Sequence, residues 1–217
     1  MQIFLPHATI QVMKKTKKTA MKFLLLLALS APDARAFEIG GLIGPSFNSP
    51  SVSVSGSTSI QGGFSIGSTG GVFIGMGILP MIGVELGTFL SRRSLATELG
   101  AITATQYFTS VHVPLLLRIN LPIFFSISAG PYLNHSFGSV TQKVGAAEAS
   151  GFYSDAGLRT LDGGLLASIR WSKSIVPLIS FLVDARYKLG LSNLSSAAGS
   201  TVKTRETEIL VGAGFSL

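Results

Sequence analysis

The sequence predicts an all-β protein: an eight-stranded antiparallel up-and-down transmembrane β-barrel, preceded by a helical signal peptide. Three observations predict this fold. Mean hydropathy is +0.51 and only 12% of the 217 residues are charged, about half the average for globular domains. No apolar run approaches the roughly 20 residues that a membrane-spanning helix requires. After residue 36, apolar and polar residues alternate with a period of two, which is typical of strands with one apolar face.

The first 36 residues have the layout of a secretory signal peptide. A basic segment precedes an apolar stretch at 23–29, and Ala34-Arg35-Ala36 has the small-x-small pattern of a cleavage site. The basic residues are Lys14, Lys15, Lys17, Lys18 and Lys22. We therefore assign 1–36 to the signal peptide, with Met13 and Met21 as alternative starts, and 37–217 to the barrel. The alternative is a basic amphipathic arm that binds nucleic acid or a membrane.

The leader also accounts for most of the net charge. The chain has 17 basic and 10 acidic residues, a net charge of +7. Six basic residues and one acidic residue lie in the leader, which leaves 11 and 9, or +2, for the mature chain. We therefore expect no nucleic-acid partner. The absence of cysteine excludes a disulfide framework, a zinc ribbon and thiol catalysis.

Eight strand-like segments follow the leader, separated by turn-forming residues, and none has the apolar stripe of a helix. They are residues 37–47, 70–78, 81–89, 105–120, 124–137, 161–172, 179–191 and 204–217. Their connections alternate between long and short without exception, as in outer-membrane barrels. With a periplasmic N-terminus, this alternation predicts that all four long loops are extracellular. The short links are 79–80, 121–123 and 173–178.

The charged residues of these segments lie on one face. In the seventh segment Asp184, Arg186 and Lys188 alternate with apolar residues, and the other segments repeat this pattern. Arg205 has the apolar parity but lies at the loop end of its strand. A soluble sandwich also alternates, but its wet face is usually rich in Lys and Glu. Here the polar face is small and sparse in charge, which favours a narrow barrel lumen and an outward face against lipid.

Two sets of residues are candidate functional features. The first is a polar network in the lumen, which we expect to be salt-bridged because buried charges must be paired. Its members are Glu85, Arg118, Asp162, Arg170, Asp184, Arg186 and Lys188. The second is an aromatic girdle on the lipid face at the periplasmic strand ends. Its members are Phe37, Phe125, Trp171 and Phe215.

Four motifs resemble the PorT-like outer-membrane β-barrel family of Gram-negative bacteria. They are residues 113–118 (VPLLLR), 128–133 (SAGPYL), 184–191 (DARYKLGL) and 211–215 (VGAGF). Their order and spacing also match, over nearly all of 37–217. The resemblance implies an eight-stranded barrel in the outer membrane, with lipid and the barrel assembly machinery as partners. The chain departs from many barrels by ending in Phe215-Ser216-Leu217 rather than in an aromatic residue.

The sequence offers little for catalysis. His135 and Ser136 are neighbours on a strand and so point to opposite faces, whereas Ser110 and His112 share the polar face. We expect His112 to be a hydrogen-bonding residue of the lumen rather than a general base. No cofactor and no metal site are expected.

Three functions remain for such a barrel. We favour a structural or surface-interaction role with a plugged lumen, since eight strands enclose a space that side chains just fill. The first alternative is a narrow pore for small ions or solutes, and the second is a barrel enzyme acting on outer-membrane lipid. The sequence identifies no surface partner.

Overall fold

A computed structural model describes residues 37–54, 61–99, 102–122, 124–144, 147–152, 158–196 and 199–217. The predicted signal peptide, 1–36, lies outside these residues. Within them no helix is long and apolar enough to cross a membrane. The strands are β1 (Phe37–Asn48), β2 (Ser51–Val54), β3 (Gln61–Gly63), β4 (Ser65–Leu79), β5 (Ile82–Leu99), β6 (Ile102–Asn120), β7 (Phe125–Val144), β8 (Ala147–Gly151), β9 (Leu161–Val176), β10 (Ile179–Gly190), β11 (Ser200–Lys203) and β12 (Arg205–Ser216).

Eight of these strands form a closed antiparallel barrel. Its order is β5-β4-β1-β12-β10-β9-β7-β6, and β6 pairs back onto β5. The first and last strands meet along β1 and β12, where Ile43 lies opposite Val211. Among the eight described wall strands, closure leaves no unpaired edge, which a sheet in lipid requires. The predicted eight-stranded barrel fold is confirmed.

Alternation along each strand separates an interior from an outer surface. In β10 every second side chain from Ser180 to Lys188 is buried, whereas Phe181, Ala185 and Tyr187 lie outward. Arg205, the predicted exception, begins β12 at the end of the barrel that carries the long connections. We call this end the long-loop end, and the opposite end the short-turn end.

Several predicted boundaries were wrong, mainly at the long-loop end. Within the segment 90–104, predicted as a loop, residues 90–99 and 102–104 belong to the paired strands β5 and β6. β4 likewise begins at Ser65, and β7 continues to Val144 and pairs with β8. Polar residues on both faces erase the alternation, so a strand that leaves the apolar band carries no period-two signal.

The short turns and the long connections also differ from expectation. The predicted link 173–178 shrinks to Pro177 and Leu178, because β9 extends to Val176. Leu178 makes this tight reversal with a φ of 71°. At the other end, β2 pairs with β11 and so joins the first long connection to the last. The serine- and glycine-rich composition of the loops did not predict this pairing.

Candidate functional site in the barrel lumen

All seven residues predicted for the polar network lie in the barrel interior. Each is at most 4% exposed, although every one carries a formal charge. They belong to four strands of the wall: β5, β6, β9 and β10. Since an isolated buried charge is very costly, their partners decide whether the interior is stable. Two clusters result, one toward each end of the barrel.

The cluster nearer the short-turn end centres on Arg170. Its guanidinium donates to both oxygens of Glu85 at 2.7 and 2.8 Å. The same group donates to Oδ2 of Asp184 from Nη2 at 2.8 Å and from Nε at 3.1 Å. Arginine suits this position because its planar fork can hold two carboxylates at once.

Arg118 and Arg186 complete this inner cluster. Arg118 donates to Glu38 at 2.6 Å and lies 3.6 Å from Glu85. Arg186 lies 3.1 Å from Asp184 and 3.5 Å from Glu85. Glu85 therefore contacts all three arginines. The cluster has three acids and three bases, so its formal charges balance.

The outer cluster lies toward the long-loop end. Lys188 contacts Glu206 at 2.9 Å and Glu208 at 2.7 Å. Arg93 contacts Glu206 at 2.9 Å and, more loosely, Asp162 at 3.9 Å. This cluster has three acids and two bases, an excess of one negative charge.

The sequence-based network was incomplete, because it omitted Glu38, Arg93, Glu206 and Glu208. Glu206 and Glu208 have the polar parity of the last strand, and Glu38 alternates with Phe37 and Ile39, so parity could have found these three. Arg93 fell in a segment predicted as a loop and had no such signal. The seven predicted residues alone carry one excess positive charge, which the added acids offset.

Apolar side chains also fill the interior. Leu42, Phe73, Phe89, Leu182 and Leu210 form one buried group, and Leu116, Tyr132 and Leu166 form another. Glycine makes room for the large rings, since a Cβ at Gly40 would lie 2.5 Å from Phe73 and one at Gly87 would lie 2.5 Å from Phe89. The lumen is therefore packed with both ionic and apolar groups rather than lined only with polar ones.

The rings contact the inner arginines. The guanidinium carbon of Arg170 lies 4.3 Å from the centre of the Phe73 ring, and that of Arg186 lies 4.2 Å from the Phe89 ring. These are favourable cation–π distances in a desolvated site. The aromatic groups thus pack directly on the ion-pair network.

His112 packs against the ring of Phe89 and is fully buried. The two rings stack with centres 5.2 Å apart, and Nδ1 of His112 lies 3.2 Å from Oγ of Ser91. Within the described part of the chain, Oγ of Ser110 has no hydrogen-bond partner, so it does not form a dyad with His112. His135 is exposed on the outer wall while Ser136 is buried, as their adjacency predicts.

A cavity of about 280 Å³ opens at the short-turn end of the lumen. Glu38, Arg118 and Arg170 form its charged inner wall, with Phe124 and Phe125 at its rim. Among the described residues, no group of three His, Cys, Asp or Glu side chains could hold a metal ion.

The four predicted girdle residues lie toward the short-turn end, on the outward parity of their strands. Phe37 and Phe125 begin β1 and β7, and Phe215 is next to last in β12. Phe125 lies opposite Trp171 across the β7–β9 pair. Trp171 is not at a strand end as predicted, since β9 continues five residues beyond it to Val176. Its ring instead packs edge-on against Phe181, 6.2 Å away.

A closed barrel of eight strands, with an apolar outer surface and a charged, packed interior, defines a membrane-spanning β-barrel. Residues 21–196 match the model of the family described as outer membrane protein beta-barrel domain. The chain belongs to this family, which places it in the outer membrane of a Gram-negative bacterium. The match is to this broad family and does not distinguish the PorT-like group.

Several solved structures are similar to this chain. OprG from Pseudomonas aeruginosa is 13% identical with a TM-score of 0.48, covering 85% of this chain and 98% of its own. Neisserial surface protein A is 13% identical with a TM-score of 0.45, covering 84% and 97%. The attachment invasion locus protein Ail of Yersinia pestis is 16% identical with a TM-score of 0.38, covering 83% and 98%. No curated protein matches the chain.

Proposed function

We propose that this protein is a closed outer-membrane barrel with a structural or surface-interaction role, in which the polar network plugs the lumen. Its N-terminus faces the periplasm and its long loops face the outside. Outer-membrane lipid surrounds it, and the barrel assembly machinery inserts it. The PorT-like motifs support a place in that group. Ion pairs that cross the lumen are the observation that carries this proposal.

These ion pairs connect strands that are not neighbours in the wall. Glu85 on β5 reaches Arg170 on β9, and Arg118 on β6 reaches Glu38 on β1. In the outer cluster Arg93 on β5 reaches Glu206 on β12. A pair between adjacent strands could lie flat on the wall, but a pair between distant strands must cross the interior. Such crossings obstruct a path for ions at two levels.

The apolar side chains add a second obstacle. Phe73 and Phe89 are buried beside Leu42, Leu182 and Leu210 in the same interior. An ion that passed these apolar side chains would lose hydrating water that they cannot replace. Opening the lumen would therefore require both broken ion pairs and displaced rings.

A narrow pore is the second candidate function, and the cavity at the short-turn end favours it. This cavity of about 280 Å³ has room for water and leads inward to Arg118 and Arg170. Both arginines are held by carboxylates, so the opening ends at the inner cluster. We therefore favour a blind vestibule over a continuous path.

Planar-bilayer recording tests the choice between plug and pore. Purified wild-type protein is expected to show no large, steady conductance. The double variant Phe89→Ala and Arg186→Ala removes one ring and the arginine packed on it, and is expected to conduct measurably more. Lys203→Gln, an exposed residue of β11, is the control and should behave as wild type. Steady conductance in the wild-type protein would refute the plug.

We infer no catalytic role. His112, the histidine of the lumen, is buried against Phe89 and hydrogen-bonded to Ser91, so a lipid substrate cannot reach it without rearrangement. A barrel enzyme acting on lipid is the remaining alternative. Activity on lipid A that is lost in His112→Ala, in a variant that still folds, would establish it.

A further inference from the structure

Arg92 is a charged residue on the outer wall of the barrel rather than in its lumen. It is exposed, while its chain neighbours Ser91 and Arg93 are both buried in the interior. Leu90, the next outward residue toward the short-turn end, is 53% exposed and belongs to the apolar wall. Arg92 is therefore the first charge beyond the apolar part of β5.

The position of Arg92 along β5 matches a membrane boundary. Ten residues separate it from Ile82 at the short-turn end of the strand. With a rise of about 3.3 Å per residue and a tilt of about 40°, these residues span about 25 Å along the barrel axis. The apolar band of an outer-membrane barrel is also about 25 Å tall. Arg92 thus lies at the level where lipid headgroups begin.

A cavity of about 280 Å³ lies beside Arg92 on this part of the wall. Strands β4, β5 and β6 supply its lining, which includes Ile66, Ser68 and Tyr107. Ser68 lies opposite Arg92, so Ile66 borders the cavity on the long-loop side, and the exposed Leu90 lies on the membrane side. The cavity combines a guanidinium with hydroxyl groups and adjoins the apolar wall at Leu90, and together these suit a lipid headgroup and its first methylenes.

The electrostatics of this place differ from those of the lumen. Arg93, Arg118, Arg170 and Arg186 each contact a carboxylate. No carboxylate among the described residues forms a salt bridge with Arg92.

We propose that Arg92, together with Ser68 and Tyr107, binds a phosphate group carried by a lipid in the leaflet at the long-loop end. A guanidinium can donate two parallel hydrogen bonds to a phosphate group, and tyrosine is favoured at membrane interfaces. The acyl chains of that lipid lie along Leu90 and the apolar wall on the membrane side of Arg92. On the orientation proposed above this is the outer leaflet, but the binding itself depends only on the level of Arg92.

Native mass spectrometry of the protein in uncharged maltoside micelles tests this proposal. The probes are lipid A, dephosphorylated lipid A and inorganic phosphate. Lipid A is expected to bind, dephosphorylated lipid A much more weakly, and inorganic phosphate not at all, because it gains nothing from the apolar wall. Equal binding of the two lipids, or binding of inorganic phosphate as tight as that of lipid A, would overturn the proposal.

Variants locate the site. Arg92→Gln should weaken lipid A binding about tenfold, which is the loss of roughly one charge-assisted hydrogen bond. Arg92→Lys keeps the charge but loses the planar guanidinium, so its affinity for lipid A should lie between those of wild type and Arg92→Gln. Arg159→Gln removes an equal charge from an exposed position between β8 and β9 and should bind as wild type. A heat-dependent mobility shift on a denaturing gel checks that each variant is folded. Unchanged binding in folded Arg92→Gln would refute the site, whatever the bilayer recordings show about conductance.

Discussion

The two ionic clusters of the lumen differ in how their charges are held. In the inner cluster Glu85 contacts three arginines, and Arg170 uses its fork to hold two carboxylates. In the outer cluster Lys188 holds two glutamates as a point charge, and Arg93 reaches Asp162 only at 3.9 Å. In the inner cluster the formal charges balance and most of the carboxylates and guanidiniums have several partners, whereas the outer cluster has one acid in excess. This difference predicts that the inner cluster contributes far more to barrel stability.

The largest expected effect is that of Glu85→Ala. The substitution leaves Arg118 and Arg186 with one carboxylate each and removes both hydrogen bonds that Arg170 makes to Glu85. Breaking a buried ion pair from one side costs about 3–5 kcal/mol. Urea unfolding of the protein from detergent micelles measures the change. If the free energy of unfolding falls no more than in an outer-cluster variant, the two clusters contribute equally to stability and the proposed difference is wrong.

Arg170→Lys tests whether the shape of the arginine matters in the inner cluster. Lysine keeps the charge but cannot donate to Glu85 and Asp184 with the same fork. We expect a loss of about 1–3 kcal/mol, the cost of a charged hydrogen bond. The same unfolding measurement applies, with Lys203→Gln as the control. Wild-type stability in Arg170→Lys would mean that charge alone holds the cluster.

Gly40→Ala tests the packing that supports the inner cluster. The new Cβ would lie 2.5 Å from the ring of Phe73, which packs on Arg170, and 2.9 Å from the backbone oxygen of Ala213. Overpacking of this kind typically costs about 1–3 kcal/mol. Gly41→Ala is the matched control, because a Cβ there meets only the Gly71 oxygen, at 3.7 Å. Equal stability of the two variants would show that the ring can move aside.

The smallest expected effect is that of Glu208→Gln in the outer cluster. Lys188 keeps Glu206 as a partner, and the substitution removes the excess negative charge. We expect a change of less than about 1 kcal/mol in either direction. A loss as large as that of Glu85→Ala would show that the outer cluster is equally critical.

The barrel could be predicted from the sequence because one face of each strand must be apolar to contact lipid. The same parity located residues such as Asp184 and Arg186 in the interior. Parity does not reveal which residues meet across the lumen, since this depends on the register of all eight strands. The pair between Arg118 and Glu38, 80 positions apart in the chain, could therefore not be predicted.

Two kinds of residue escaped prediction for physical reasons. Arg93 lies where β5 rises beyond the apolar band, and there both faces are polar. Phe73 and Phe89 are apolar and face inward, so they resemble lipid-facing residues in composition. The packed interior of a narrow barrel excludes both water and lipid. It can therefore hold apolar side chains that composition alone assigns to the outer surface.

A double-mutant cycle on Glu85 and Arg170 tests most directly whether ion pairs hold the barrel together across its lumen. Glu85→Gln, Arg170→Met and the double variant are compared with wild type by urea unfolding from micelles. If the two side chains are coupled across the interior, the double variant should lose less stability than the sum of the single losses, by about 1–3 kcal/mol. Additive losses would contradict the account, because the two charges would then not stabilise each other across the lumen.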